Sequence, residues 1–251
     1  MSTLLAVSEI CVRFGGVTAV DGASFELANG QLLGFIGPNG AGKTTLMRVI
    51  TGVVRPASGR VFYDGTDITR WSTVARIRSG LAISQQMVRP LRTLTCVDNV
   101  ALAAGHARFA SPLKAMLRHN RQTERARAHE LLARVGLAGA ASSLPGELPL
   151  GYLKRLEVAR ALALDPRLLL LDEPLAGLNQ AEAEAMANLI ATLPRPDLGV
   201  ILIEHNLGEV LRICPTLYVQ DNGRSLAFGP SREVMARQDV RNAYLGAELE
   251  C

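Results

Sequence analysis

Gly37-Pro38-Asn39-Gly40-Ala41-Gly42-Lys43-Thr44-Thr45 has the spacing G-x-x-x-x-G-K-T. Glycines at those places let successive backbone N–H groups turn inward and ring a phosphate, and a helix starting behind them adds its positive dipole end. Lys43 is then placed to reach the β- and γ-phosphates of a nucleotide, and the Thr44 hydroxyl suits Mg²⁺. Leu168-Leu169-Leu170-Leu171-Asp172-Glu173-Pro174 ends an apolar run in two carboxylates. Asp172 suits Mg²⁺ bound through water, and Glu173 suits a general base that polarises the attacking water. Ile201-Leu202-Ile203-Glu204-His205 repeats the layout, with His205 placed to touch the γ-phosphate or that water. Blander readings stand beside these: an ordinary Gly-rich turn, carboxylates that cap the next helix, and a structural histidine.

Such residues need strands that deliver them to one edge. Leu32, Leu33, Phe35 and Ile36 read as the strand before the loop, and Leu46, Met47, Val49 and Ile50 as the helix after it, ending at Gly52. Leu168–Leu171 and Gly199–Ile203 are continuous apolar runs, as expected of parallel strands buried on both faces. In open α/β sheets ligands sit outside the carboxyl ends of such strands. Leu4–Val12, the stretch around Phe25 and Leu27, Gln31–Ile36, Gly59–Tyr63, Leu81–Ser84, Leu217–Gln220 and Arg224–Phe228 also read as strands. Asn29-Gly30 reads as a hairpin turn between its neighbours, Asp64-Gly65 closes another strand, and Asp221-Asn222-Gly223 joins the last two. From about Pro90 to Asp165 the pattern is helical, which predicts a helical subdomain inserted in an α/β core. Thr95-Cys96-Val97-Asp98 opens a helix to Ala104 with a capping pattern, and Arg121–Val135 puts Ala128, Leu131, Leu132 and Val135 on one face of a helix expected to be a solvated surface element. Gln180–Leu193 and two short helices from about Ser231 and Val240 follow.

The chain has 251 residues, enough for one large α/β domain or a domain with a subdomain. Its formal charge of +4 comes from 27 basic and 23 acidic residues without a long basic run, and aromatics are sparse, so no nucleic-acid partner is expected. Cys11, Cys96, Cys214 and Cys251 form no C-x-x-C pair, which points away from disulfides and zinc and toward a reducing compartment. Glu9 and Arg13 interrupt the short apolar N-terminus, unlike a signal peptide, and no apolar run is long enough to span a bilayer. Any membrane association is therefore expected to come through a partner.

Taken in order, the loop at Gly37, the carboxylate pair after Leu168 and His205 resemble the ATP-binding subunit of ABC transporters over essentially the whole chain. The resemblance implies an α/β, P-loop NTPase fold of ABC type. That fold has a mainly parallel central sheet, an antiparallel N-terminal β part and a helical insertion, with the core at about 1–88 and 166–251 and the insertion at about 89–165. It implies ATP and Mg²⁺ as ligands, with Gly37 through Thr45 cradling phosphate. Gln85 and Gln86 follow the strand at Leu81. Counting back from Thr95–Val100, Gln86 takes the place of the family glutamine that binds Mg²⁺ and water and faces the membrane subunit. Phe14 resembles the aromatic that stacks on adenine, with a core position on the first strand as the alternative. Arg13-Phe14-Gly15-Gly16 with Ala19-Val20-Asp21-Gly22, Lys154 through Leu162 and Asp239 through Gly246 look like ATPases of branched-chain amino acid importers. That implies membrane permease subunits, a second ATPase subunit, a periplasmic binding protein acting indirectly, and a peripheral place on the cytoplasmic face of the inner membrane.

The family signature L-S-G-G-Q appears here as Leu148-Pro149-Leu150-Gly151-Tyr152. Pro149 has neither hydroxyl nor N–H; Gly151 and a following helix keep one glycine and a dipole end for an anion. Asn179 stands where the family commonly has Asp. The resemblance thus implies an asymmetric dimer in which this chain's loop, Asp172, Glu173 and His205 serve its own ATP, while a weakened signature serves the partner's. A non-transport ABC ATPase and a nucleotide sensor with little turnover are the alternatives.

Overall fold

The structure, a computed structural model, describes residues 2–84, 90–105 and 122–247. Two sheets organise them. Strands β1 (Thr3–Phe14), β2 (Val17–Ala28), β4 (Ser58–Tyr63) and β5 (Thr66–Asp67) form an antiparallel sheet in the order β2-β1-β4-β5. Strands β3 (Leu32–Ile36), β6 (Leu81–Ser84), β7 (Leu168–Asp172), β8 (Gly199–Ile203), β9 (Thr216–Asp221) and β10 (Arg224–Pro230) form the second, in the order β10-β9-β3-β8-β7-β6. All its pairs are parallel except the edge pair β9–β10.

The apolar runs explain the second sheet. Leu33, Phe35, Leu168, Leu170, Ile201 and Ile203 face the antiparallel sheet, while their alternates Leu32, Ile36, Leu169, Leu171, Val200 and Leu202 face the helices. A strand buried on both faces has no polar side to spend on solvent, so it reads as continuous Leu, Ile and Val. Between the sheets, the Tyr218 ring centroid lies 4.7 Å from that of Phe25 and 5.0 Å from that of Phe35.

Helix α1 (Lys43–Ile50) lies in the same layer and carries the phosphate loop at its N-terminus. Its other end is pinned by Arg76, which is fully buried on α2 (Thr73–Arg78). The Arg76 guanidinium donates to the carbonyls of Val49 (2.7 Å), Ile50 (2.6 Å) and Ile68 (2.8 Å). Val49 and Ile50 end α1 and Ile68 follows β5, so one side chain ties the helix end to that segment. Burial pulls the Arg76 pKa down to about 10.

The Asn29-Gly30 expectation is corrected. β2 and β3 are not paired; they lie in different sheets, and the turn carries the chain from one to the other. A two-residue hairpin would have placed β3 beside β2, but β3 is buried on both faces and needs parallel neighbours. The real hairpin turns at Gly15-Gly16, with Phe14 opposite Val17. Asp21-Gly22, which looks like a turn, is a bulge inside the twelve-residue β2, with Gly22 at φ +72°.

Between residues 96 and 162 the described elements are helical: α3 (Cys96–Ala104), α4 (Gln122–Arg134), two short 3-10 turns and α5 (Leu150–Leu162). The Thr95 side chain accepts from Asp98 N and caps α3. α4 buries Ala128, Leu131 and Leu132. These helices share one core with α6 (Gln180–Ala191) and the outer face of the parallel sheet. Helices α7 (Leu207–Ile213), α8 (Ser231–Ala236) and α9 (Gln238–Ala247) complete the fold. Helices α2 and α7 have no counterpart in the sequence reading. Each is short, and their caps Ser72 and Asn206 were the available signals.

Candidate functional site

The loop leaves β3 at Gly37 and enters α1 at Lys43. Gly37 (φ +156°) and Gly42 (φ +95°) admit no side chain: a Cβ would stand 2.0 Å from the Gln220 carbonyl oxygen and 2.3 Å from that of Ala19. Lys43 is buried, and its Nζ donates to the carbonyls of Gly37 at 2.7 Å and Pro38 at 2.8 Å. Burial lowers its pKa, opposed by the nearby charges of Glu173 and Asp172. A pocket of about 420 Å³ opens over the loop, lined by Asn39, Gly40, Ala41, Gly42, Thr44, Thr45 and Lys43 together with Glu173 and His205.

The carboxylates come from the end of β7. Asp172 pairs with Ile203 in the β7–β8 ladder and is half-buried. Its carboxyl pKa is raised, first by burial and then by Glu173, against the pull of Arg48, His205 and Lys154. Glu173 adopts φ +50°, a left-handed conformation that is costly for a residue with a Cβ. Its Oε1 lies 2.9 Å from His205 Nε2. The two carboxylates do not cap α6: Asn179 does, accepting from Glu182 N at 2.9 Å while Glu182 reaches back to Asn179 N. Asn at 179 thus fulfils the capping duty Asp would have there.

The structure therefore gathers Lys43, Glu173 and His205, which the sequence scatters over three segments, at one pocket. Asp172 lies close enough to Lys43 for their charges to interact. Phe14 is 51% exposed at the end of β1, which excludes the core alternative. It is not among the lining residues; its hairpin partner Val17 is, with Thr18, Ala19, Asn222 and Gly223. Gly151 belongs to the buried face of α5, where a Cβ would stand 3.3 Å from Glu182 Oε1, and the stretch 148–152 contributes nothing to this pocket. Gln86, with Gln85, lies outside the described residues.

Three buried polar residues escaped the sequence reading. Lys154 is 5% exposed and donates from Nζ to the Glu173 carbonyl at 2.9 Å. Its signal was a lone cation on the stripe Gly151, Lys154, Val158, Ala161. Glu204 is 3% exposed and accepts from Leu175 N at 2.6 Å and His205 N at 3.2 Å. Burial pushes its pKa up to about 7. Gln220 is fully buried under the loop, with Oε1 and Nε2 unpartnered among the described residues.

Comparison with known proteins agrees in sequence and fold. The ABC transporter family matches residues 20–176. The high-affinity branched-chain amino acid transport ATP-binding protein LivG of Salmonella typhimurium is 36% identical over 250 residues, covering 97% of this chain and 98% of LivG. BraF of Pseudomonas aeruginosa, of the same description, is 36% identical over 251 residues with the same coverage, 97% and 98%. The lipopolysaccharide export system ATP-binding protein LptB of Acidithiobacillus ferridurans is 33% identical over 250 residues, covering 100% of both. Among solved structures, the ADP conformation of MJ1267, an ATP-binding cassette of an ABC transporter, matches with a TM-score of 0.85 and 30% identity, covering 98% of this chain and 100% of that one. A nucleotide-free cassette from an ABC transporter matches at 0.83 with 29% identity, covering 97% and 99%. Likeness that runs the length of the chain, in sequence and in fold alike, makes this protein a member of the ABC transporter family and one of its ATP-hydrolysing cassettes.

Proposed function

We propose that this cassette powers import of branched-chain amino acids or related amides. It would sit peripherally on the cytoplasmic face of the membrane, with permease subunits, a second ATPase subunit and, indirectly, a periplasmic binding protein. The import reading rests on the names of LivG and BraF and on the stretches around Phe14, Lys154 and Asp239; LptB, named for export, is the competing relative. Among the described residues no helix is long and apolar enough to cross a membrane, in keeping with attachment through partners.

The observation that carries the hydrolytic assignment is the 2.9 Å contact between Glu173 and His205 at the pocket built by the Lys43 loop. In this reading the loop amides and Lys43 hold the phosphate tail. Glu173 takes the proton of the attacking water as general base, and His205 keeps the carboxylate aimed and touches the γ-phosphate or the water. Phe14 stacks on the base from the pocket rim, and Gln86 joins the Mg²⁺ and water and faces the permease.

Among the described residues no group of three or more His, Cys, Asp or Glu could hold a metal. Mg²⁺ needs no such cage: it takes hard oxygen donors, one or two from protein and the rest from phosphate and water. Thr44 at the head of α1 and half-buried Asp172 fit that demand. When bound, the ion neutralises charge developing on the phosphates.

Two such chains, or this one and a different ATPase, would enclose two ATP molecules, with Leu148–Tyr152 facing the partner's nucleotide. Closure on ATP and reopening after hydrolysis would reach the permeases through the Gln86 region and the helical insertion. The test is a mixed dimer carrying Glu173→Gln. It should trap ATP and lose turnover by about 10²-fold or more, the scale of general-base catalysis; unchanged hydrolysis would remove Glu173 from the base role.

A further inference from the structure

Glu173 sits at φ +50°, held by contacts from β8, from the turn after it and from α5. Its N–H donates to Ile203 O at 2.9 Å, its Oε1 meets His205 Nε2 at 2.9 Å, and its carbonyl accepts from Lys154 Nζ at 2.9 Å, beside a longer 3.3 Å bond from Ala176 N in its own turn. The first two come from β8 and the turn after it. The third comes from α5, a helix that begins at Leu150 inside the signature-like stretch. Lys154 is almost fully buried there, among Gly151, Leu156 and Val158. A buried cation is costly unless paired and hydrogen-bonded, and a methionine would fill the same space without that cost. Burial lowers the Lys154 pKa, opposed by the nearby charges of Glu204, Glu173 and Asp172. Glu204 is itself engaged by the amides of Leu175, two residues after Glu173, and of His205, whose ring meets Glu173.

We propose that Lys154 is a positioning residue for hydrolysis: its hydrogen bond fixes the Glu173 backbone in the left-handed turn that aims the carboxylate into the pocket, and it ties that turn to the helix starting at the signature-like stretch. The inference rests on the general-base role given to Glu173 above. Lys154 is absent from the residues lining the pocket, so its loss acts on the rate and spares nucleotide binding.

The experiment measures ATP hydrolysis by the complete transporter and binding of labelled ATP. Lys154→Met should lower kcat by about tenfold or more while KM and ATP binding stay within about twofold. Lys154→Arg, and Lys154→Gln, which keeps a neutral N–H donor for the Glu173 carbonyl, should recover most of that loss. Added to Glu173→Gln, Lys154→Met should cost no more than about a further twofold, because the two act as one unit. An equal fold-loss in both backgrounds overturns the proposal, as does a raised KM with kcat intact. Recovery of kcat in Lys154→Met/Glu204→Gln also overturns it, because Lys154 would then serve only as the counter-ion of Glu204. If Lys154→Met does not fold, failure of Lys154→Gln to support turnover while it still binds ATP overturns it equally. If Glu173→Gln alone leaves hydrolysis unchanged, the base assignment itself falls and the positioning role with it.

Discussion

At the ends of β3, β7 and β8, polar side chains from separate segments converge on one pocket; at the start of α5, the stretch Leu148–Tyr152 offers an anion one glycine, a proline and the end of a helix. The first region is over-determined. Lys43 is held by two carbonyls, Glu173 by partners from β8, the turn after it, α5 and its own turn, and Glu204 by two amides behind them. The second is thin: Pro149 is the N-cap of α5 without a side-chain cap bond, and it has no N–H to donate. A site assembled from several elements draws its polar groups from many residues, whereas a site made of a single helix start has only the few residues of that turn to offer. Under the proposed function, the contrast means that this chain is better equipped to hold its own ATP than to complete a partner's.

Substitutions at the two regions should break that contrast in opposite directions. Lys43→Ala in the isolated cassette should weaken ATP binding by roughly 10²-fold, from loss of a charged donor worth about 1.5–3 kcal/mol. Calorimetric titration reads it, and an unchanged affinity would mean the strong region is not the one described. Pro149→Ser should act the other way. It restores a hydroxyl and a good N-cap, and should speed hydrolysis of the ATP held by the partner by about tenfold in the mixed dimer, within the same energy range. No gain would show that the thin region is not limiting.

A separate effect, on stability and not on activity, concerns the residues behind the strong region. Glu204 has its folded pKa raised to about 7 by burial, above the usual carboxylate range. The folded state therefore takes up a proton that the unfolded state has already released. The Glu204 contribution to stability is fullest in acid and is lost as pH rises through about 7. Denaturant unfolding of the wild type should fall off more steeply between about pH 5 and about pH 8 than that of Glu204→Gln, by about 1 kcal/mol per pH unit. Parallel curves would mean that burial does not raise the Glu204 pKa in the folded state.

Much of the strong region was legible because its signals are local. The loop needs glycines at fixed places before a helix, and Asp172, Glu173 and His205 each follow an apolar run that only a doubly buried strand requires. The capping of α3 by Thr95 was legible for the same reason. Asn29-Gly30 misled because turn chemistry states that the chain reverses, not which sheet it reverses into. Lys154 reads as an ordinary helix lysine, and Glu204 as the neighbour of a more interesting histidine, until burial is known.

The order of residues, with nothing else, was enough to specify the phosphate loop, the doubly buried strands and the chemistry waiting at their ends. All of these arise from contacts among near neighbours and from burial periodicity. Folding in three dimensions was needed to bring Glu173 against His205, to seat Lys154 under the Glu173 carbonyl, and to set β2 and β3 in different sheets. Which buried donor meets which acceptor depends on packing between elements remote along the chain, and no local spacing carries that information.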